Sequence, residues 1–78
     1  MPTVLKLKGY RFFFFSNEGN EPIHIHVEKA EFYAKFWLDP LYVSINHGFD
    51  SKELSKIGKI IEENEILIRD KWNEHFSQ

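Results

Sequence analysis

The sequence predicts an α+β fold, an antiparallel meander of four or five strands with one long C-terminal helix packed on one face. Three observations predict it. From Thr3 to Ile45, apolar and polar residues alternate in short runs separated by turn-forming residues, the period of half-buried strands. The stretch Gly9–Leu38 holds six of the eight Phe and favours a pleated surface. From Leu54 onward the apolar residues recur every three or four positions, the period of an amphipathic helix. At 78 residues the chain is expected to be a single domain (1–78), with its sheet over 3–45 and its helix over 51–76.

In the first strand, Thr3–Lys8, Val4, Lys6 and Lys8 alternate with Thr3, Leu5 and Leu7. Gly9-Tyr10 supplies a tight turn, and Arg11–Ser16 forms the second strand. Asn17 to Pro22 reads as a hairpin loop, because Asn and Gly tolerate positive φ and Pro22 disfavours further pairing. The third strand spans Ile23–Glu28, Lys29-Ala30 turns the chain, and Glu31–Leu38 is the fourth. Asp39-Pro40 ends it, since a residue before Pro is steered into extended or turn geometry. Tyr42–Ile45 is a short fifth strand at an edge.

Asn46–Phe49 is a loop leading to a marked helix start. Asp50 or Ser51 can serve as N-cap, and Glu53 stands where a capping box places its acid for Asp50. Leu54, Ile57, Ile61, Ile68 and Trp72 form the stripe, broadened by Ile60, Leu67 and Phe76. Gly58 weakens its middle by up to ~1 kcal/mol relative to Ala, and its size would permit close approach to the sheet. An unbroken helix from Ser51 to Phe76 would run ~39 Å, so Trp72 and Phe76 are expected to overhang and want a partner.

Composition narrows the function. Without Cys there is no disulfide staple, thiolate metal site or thiol nucleophile. No apolar run reaches the ~20 residues of a membrane span. The first ten residues lack a signal peptide's apolar stretch, so a cytoplasmic location and no membrane partner are expected. The net formal charge of −2 gives no global pull toward nucleic acid, so RNA binding would need a local patch.

Alternation supplies that patch. Ile23, Ile25, Val27, Phe32, Ala34, Phe36, Leu38, Phe12 and Phe14 are expected on the helix side. Arg11, Phe13, Phe15, His24, His26, Glu28, Tyr33, Lys35 and Trp37 face away, joined by Lys6 and Lys8. On this outer face Lys6, Lys8, Arg11 and Lys35 against Glu28 give a local +3 among exposed aromatics. Two uses compete: a homodimer or partner interface, or an RNA surface where rings stack on bases and cations hold phosphates. Phe13 and Phe15 could equally pack under the hairpin loop.

His24 and His26, two apart on one strand, project to one side roughly 6–7 Å apart. Three readings are open: solvated or interface histidines, a metal pair with His47 or Glu28 as third ligand, or an acid and a base flanking a phosphodiester. In the last, metal-independent scheme, Lys35 or Arg11 would stabilise the phosphorane charge. Tyr33, Trp37, Lys6 and Lys8 would hold the substrate. No cofactor and no bound metal is assigned. His75 suits the negative end of the helix dipole, and the Lys/Glu run Lys52–Glu65 a solvated helix face.

The series GYRFFFFSNEGNEPIHIHV, AKFWLDP, HGF and WNEHF resembles a family of short bacterial proteins classed as a domain of unknown function, over nearly the whole chain. Arg11, Asn17, Glu18, His24, His26, Lys35 and Trp37 are the family-like positions. The resemblance implies a cytoplasmic component of a type II toxin–antitoxin module, a toxin with a small cognate antitoxin-like protein as partner. On the residues above, the toxin is expected to be a metal-independent ribonuclease using His24, His26, Lys35 and Arg11. The alternative is a non-enzymatic interaction module, antitoxin-like or an adaptor, whose aromatic face binds a partner or a second copy.

Overall fold

A computed structural model describes residues 3–15 and 19–76 of the chain. Five strands, β1 (Thr3–Leu7), β2 (Tyr10–Phe13), β3 (His24–Lys29), β4 (Phe32–Leu38) and β5 (Leu41–His47), precede two helices, α1 (Ser51–Glu63) and α2 (Glu65–Phe76). The strands pair antiparallel in sequence order, β1-β2-β3-β4-β5, so the meander is as expected. The fifth strand is longer than the sequence suggests and ends at His47, which is therefore a strand residue rather than a loop residue. Ser16, Asn17 and Glu18, expected at the end of the second strand and the start of its loop, lie outside the described residues.

Period-two alternation sorts the faces as expected. Phe12, Phe14, Ile25, Val27, Ala34, Phe36 and Leu38 form the core with Phe49, Ile57, Ile60, Ile61, Ile68 and Trp72. Lys8 departs from the expectation: its φ of 55° puts it in the β1–β2 turn with Gly9 (φ 87°), beyond the end of the outer face. Val4 is skipped in the pairing between Thr3 and Leu5, and that irregularity brings Thr3 rather than Val4 to the outer face, opposite Phe13, while Val4 packs against the core.

The single long helix is also corrected. It breaks at Asn64, whose backbone leaves helical geometry (φ −118°, ψ 22°). The Asn64 side chain donates to the Ile60 carbonyl at 2.8 Å, competing with the backbone for that acceptor. Ile68 N–H then donates to the Asn64 carbonyl at 3.0 Å and α2 continues. Trp72 and Phe76 do not overhang. Trp72 lies edge-on to Phe14 with ring centroids 5.2 Å apart, and Phe76 packs on Phe14 and Trp72 at 5.9 and 4.3 Å.

Asp50 is the N-cap, accepting from Glu53 N–H at 2.8 Å. The capping box is not closed through the Glu53 carboxylate, which instead accepts from the Tyr10 hydroxyl and ties β2 to the start of α1. Burial, then the hydrogen bond to Glu53 and the nearby charges of Glu53 and Asp50, push the Tyr10 phenol up to about 12. At the other end of the helical segment, Arg69 of α2 clamps Asp39 of the β4–β5 turn through two bonds, at 2.5 and 3.0 Å. That pairing holds the Asp39 carboxyl below the usual range.

Gly48 is required by packing: at φ 105° an added Cβ would fall 2.3 Å from Phe32 Cδ1. Gly58, by contrast, faces open space, and a Cβ there would meet nothing within 4 Å. The expected close approach of helix to sheet at Gly58 does not occur.

Candidate functional site

The strand registers build the outer face in rows. His26 stands opposite Phe13 on β2 and Lys35 on β4, and Lys35 stands opposite Ile45 on β5. A second row runs Lys6, Arg11, Glu28, Tyr33 and His47, and a third pairs His24, Trp37 and Tyr42. His24, His26 and Lys35, expected to act together, are thus neighbours, with Arg11 one row away.

The imidazoles are not accessible. His24 is 0% exposed and His26 2%, where the sequence leaves open solvated or interface side chains, a metal pair or an acid and a base. The His24 ring lies among Trp37, Trp72 and His26, at centroid distances of 5.4, 5.1 and 5.1 Å. Its Nδ1 donates to the Pro22 carbonyl at 2.9 Å, and since a carbonyl only accepts, that nitrogen carries the proton. The His26 Nδ1 and the Tyr33 hydroxyl share a hydrogen bond of 2.6 Å. Phe13 and Phe15 contact the His26 ring at 5.4 and 4.6 Å. A column of near-parallel rings, Phe13, His26, Tyr33 and His47, therefore crosses four strands, with successive planes 20–25° apart.

Each cation of the expected phosphate clamp already has partners. Arg11 donates to Glu28 at 2.5 Å and to Thr3 Oγ1 at 3.0 Å, while its guanidinium sits 4.3 Å over the Phe13 ring. Lys35 donates to Glu21 at 3.0 Å and lies 4.4 Å over the Trp37 ring. Tyr33 and Trp37 are half-buried, whereas Lys6 and Lys8 are exposed. Among the described residues, no three His, Cys, Asp or Glu side chains converge as a metal site. Glu28, a suggested third ligand, faces Arg11, and His47 is separated from His26 by the Tyr33 ring.

Chemically, this arrangement is a packed polar-aromatic layer. Among the described residues, every buried side-chain nitrogen and oxygen has a hydrogen-bond partner. On this face the exposed apolar side chains lie further along, at the β4–β5 margin, while Ile66 and Leu67 are exposed on α2. Tyr42 is 53% exposed and Ile45 39%, beside the half-buried Trp37. The sequence reading assigns no site role to Tyr42 or Ile45. The signal available for them is the lack of Lys, Arg, Asp and Glu throughout Leu41–His47, unusual for a strand at a sheet edge.

None of the described helices is long and apolar enough to cross a membrane. A family model described as a domain of unknown function (DUF4160) matches residues 9–73, from the β1–β2 turn to the last turns of α2. No curated protein and no solved structure matches the chain.

Proposed function

The chain belongs to the DUF4160 family, and from that premise and the geometry of the outer face we propose that it is a non-enzymatic interaction module. It would work as one member of a toxin–antitoxin-type pair, receiving a strand of its small cognate protein along β5. One observation carries this reading. β5 is a seven-residue edge strand, LYVSINH, with no Lys, Arg, Asp, Glu or Pro, and it displays Tyr42 and Ile45 to solvent. Its outer backbone donors and acceptors, which no described strand pairs, call for an extended segment, and the apolar strip of Trp37, Tyr42 and Ile45 calls for alternating apolar side chains on it. The opposite edge differs: β1 is five residues long, carries Lys6 and is interrupted at Val4.

The ribonuclease reading has support in the placement of His26 opposite Lys35 and beside His24. It requires both imidazoles to reach a phosphodiester, however, and general acid–base catalysis needs hydrogen-bond reach to the reacting proton. At 0% and 2% exposure the pair would first have to be uncovered.

Co-expression with a candidate small cognate protein, tagged on that partner only, tests the proposal. Wild type should co-purify, Ile45→Lys should not, and a folded His24→Ala/His26→Ala variant should. A complex that survives Ile45→Lys overturns the β5 site. RNA cleavage by purified wild type, lost in the folded double-histidine variant, overturns the non-enzymatic reading. A homodimer of wild type that Ile45→Lys converts to monomer assigns β5 to a second copy instead.

A further inference from the structure

A cleft of about 570 Å³ opens at the end of the sheet where the β1–β2 and β3–β4 turns meet. Its walls carry Lys6, Lys8, Arg11 and Lys29, with Glu28 the one carboxylate. That is a local formal charge of +3 on a chain of −2, leaving −5 on everything else. The cations are not equivalent. Arg11 is held by Glu28 and Thr3, and its guanidinium is committed. Lys29 rests its ammonium 4.9 Å over the Tyr10 ring. Among the described residues, neither Lys6, Lys8 nor Lys29 is in an ion pair. Lys8 projects from a left-handed backbone position (φ 55°) that glycine adopts more readily.

We propose that this cleft binds a multiply charged phosphate anion, either the phosphate chain of a free nucleotide or polyphosphate, or the phosphodiesters of an RNA strand. Three ammonium groups without carboxylate partners among the described residues, on an otherwise acidic chain, concentrate attraction at one place on the surface. The volume falls within the roughly 300–1,000 Å³ of small-ligand sites, more than a single ion needs. Recognition is by phosphate rather than by base. The one ring in the wall, Tyr10, is buried and covered by Lys29, so it offers no stacking platform. The cleft is lined by the β1–β2 and β3–β4 turns and their flanking strand residues and by no residue of β5, so this inference stands independently of the interaction-module reading.

Calorimetric titration with sodium tripolyphosphate and with a single-stranded RNA 12-mer tests it. The variants are Lys8→Gly/Lys29→Ala, Lys6→Ala/Lys8→Gly and, as a control removing equal charge from the exposed face of α1, Lys52→Ala/Lys59→Ala. Lys8→Gly suits the local φ, and circular dichroism and Tm establish that each variant is folded. Wild type should bind tripolyphosphate, and each folded cleft variant should bind about tenfold more weakly or worse, the scale of losing charge-assisted hydrogen bonds. The helix control should bind as wild type does. Binding of RNA that tripolyphosphate displaces identifies the nucleic-acid backbone as the ligand, and tripolyphosphate binding without RNA binding identifies a free phosphate compound. No binding of either probe overturns the proposal, as does equal weakening by the cleft and helix variants.

Discussion

On one side of the sheet Ile25, Val27 and Ala34 are wholly buried beneath Ile57, Ile61 and Ile68. On the other side His26 is buried almost as completely, yet its ring contacts come from Phe13, Phe15, Tyr33 and His24, which belong to the strands or their extensions. The first face is closed by a separate layer of branched aliphatic side chains. Around His26 the second closes itself, with rings leaning along the sheet and cations lying over them, and only at His24 does a helix residue, Trp72, join it. Aliphatic burial needs only volume and close packing. Polar-aromatic burial needs each hydrogen bond made as well, because an unpartnered buried imidazole nitrogen is costly. Equal burial therefore does not mean equal strength.

The sharpest way to break this comparison is to truncate one residue on each face and measure urea unfolding. Ile57→Ala should cost about 2–5 kcal/mol, the range for deleting a fully buried branched side chain. His26→Ala should cost less, about 1–3 kcal/mol, the scale of losing its hydrogen bond with the Tyr33 hydroxyl. Tyr33 is half-buried and can turn that hydroxyl toward water, whereas the space left by Ile57 has only apolar walls. A cost for His26→Ala equal to or above that of Ile57→Ala would show the outer layer to be a second core in its own right.

A pH titration sharpens the comparison at the junction between sheet and helix. The Tyr10 phenol is raised from 10.0 to about 12, so the folded chain holds a proton that the unfolded chain has already released. The stability this supplies is complete below pH 10 and is lost as pH rises through 10 toward about 12. Tyr10→Phe should abolish that alkaline decline at a cost of about 1 kcal/mol near neutral pH, one hydrogen bond's worth. An unchanged alkaline unfolding profile in Tyr10→Phe would mean that burial and the Glu53 contact do not hold the phenol protonated in the folded chain.

The same contrast separates what residue order reveals from what only packing decides. Period-two alternation tells which side of the sheet Phe12, Ile25 and Ala34 occupy, and which side His24, His26, Lys35 and Trp37 occupy, because a strand allows only two directions. It does not tell depth. His26 reads as outward in the sequence and is outward in the sheet, but its neighbours lean over it. The break at Asn64 is visible in the sequence only as one Asn in a helical run. Nothing short of its bond to the Ile60 carbonyl distinguishes a tolerated Asn from one that ends a helix. Lys29 reads as a turn residue and no more. Its place in the basic cleft depends on two hairpin turns, distant in sequence, meeting at one end of the sheet.

The smallest expected effect concerns α1 itself and has the opposite sign. Gly58 lies between the buried Ile57 and Ile60 in sequence, a place that suggests the aliphatic face demands its small size. Its Cβ position nevertheless meets nothing within 4 Å. The glycine then contributes only backbone freedom to the unfolded chain and an exposed helical backbone to the folded one. Gly58→Ala should raise stability by roughly 0.5–1 kcal/mol in the same urea experiment. It should do so without altering the cost of Ile57→Ala when the two are combined, because the added methyl points away from the core. Destabilisation by Gly58→Ala would place a neighbour against α1 at that turn, and the helix layer would then be less simply aliphatic than the comparison of the two faces makes it.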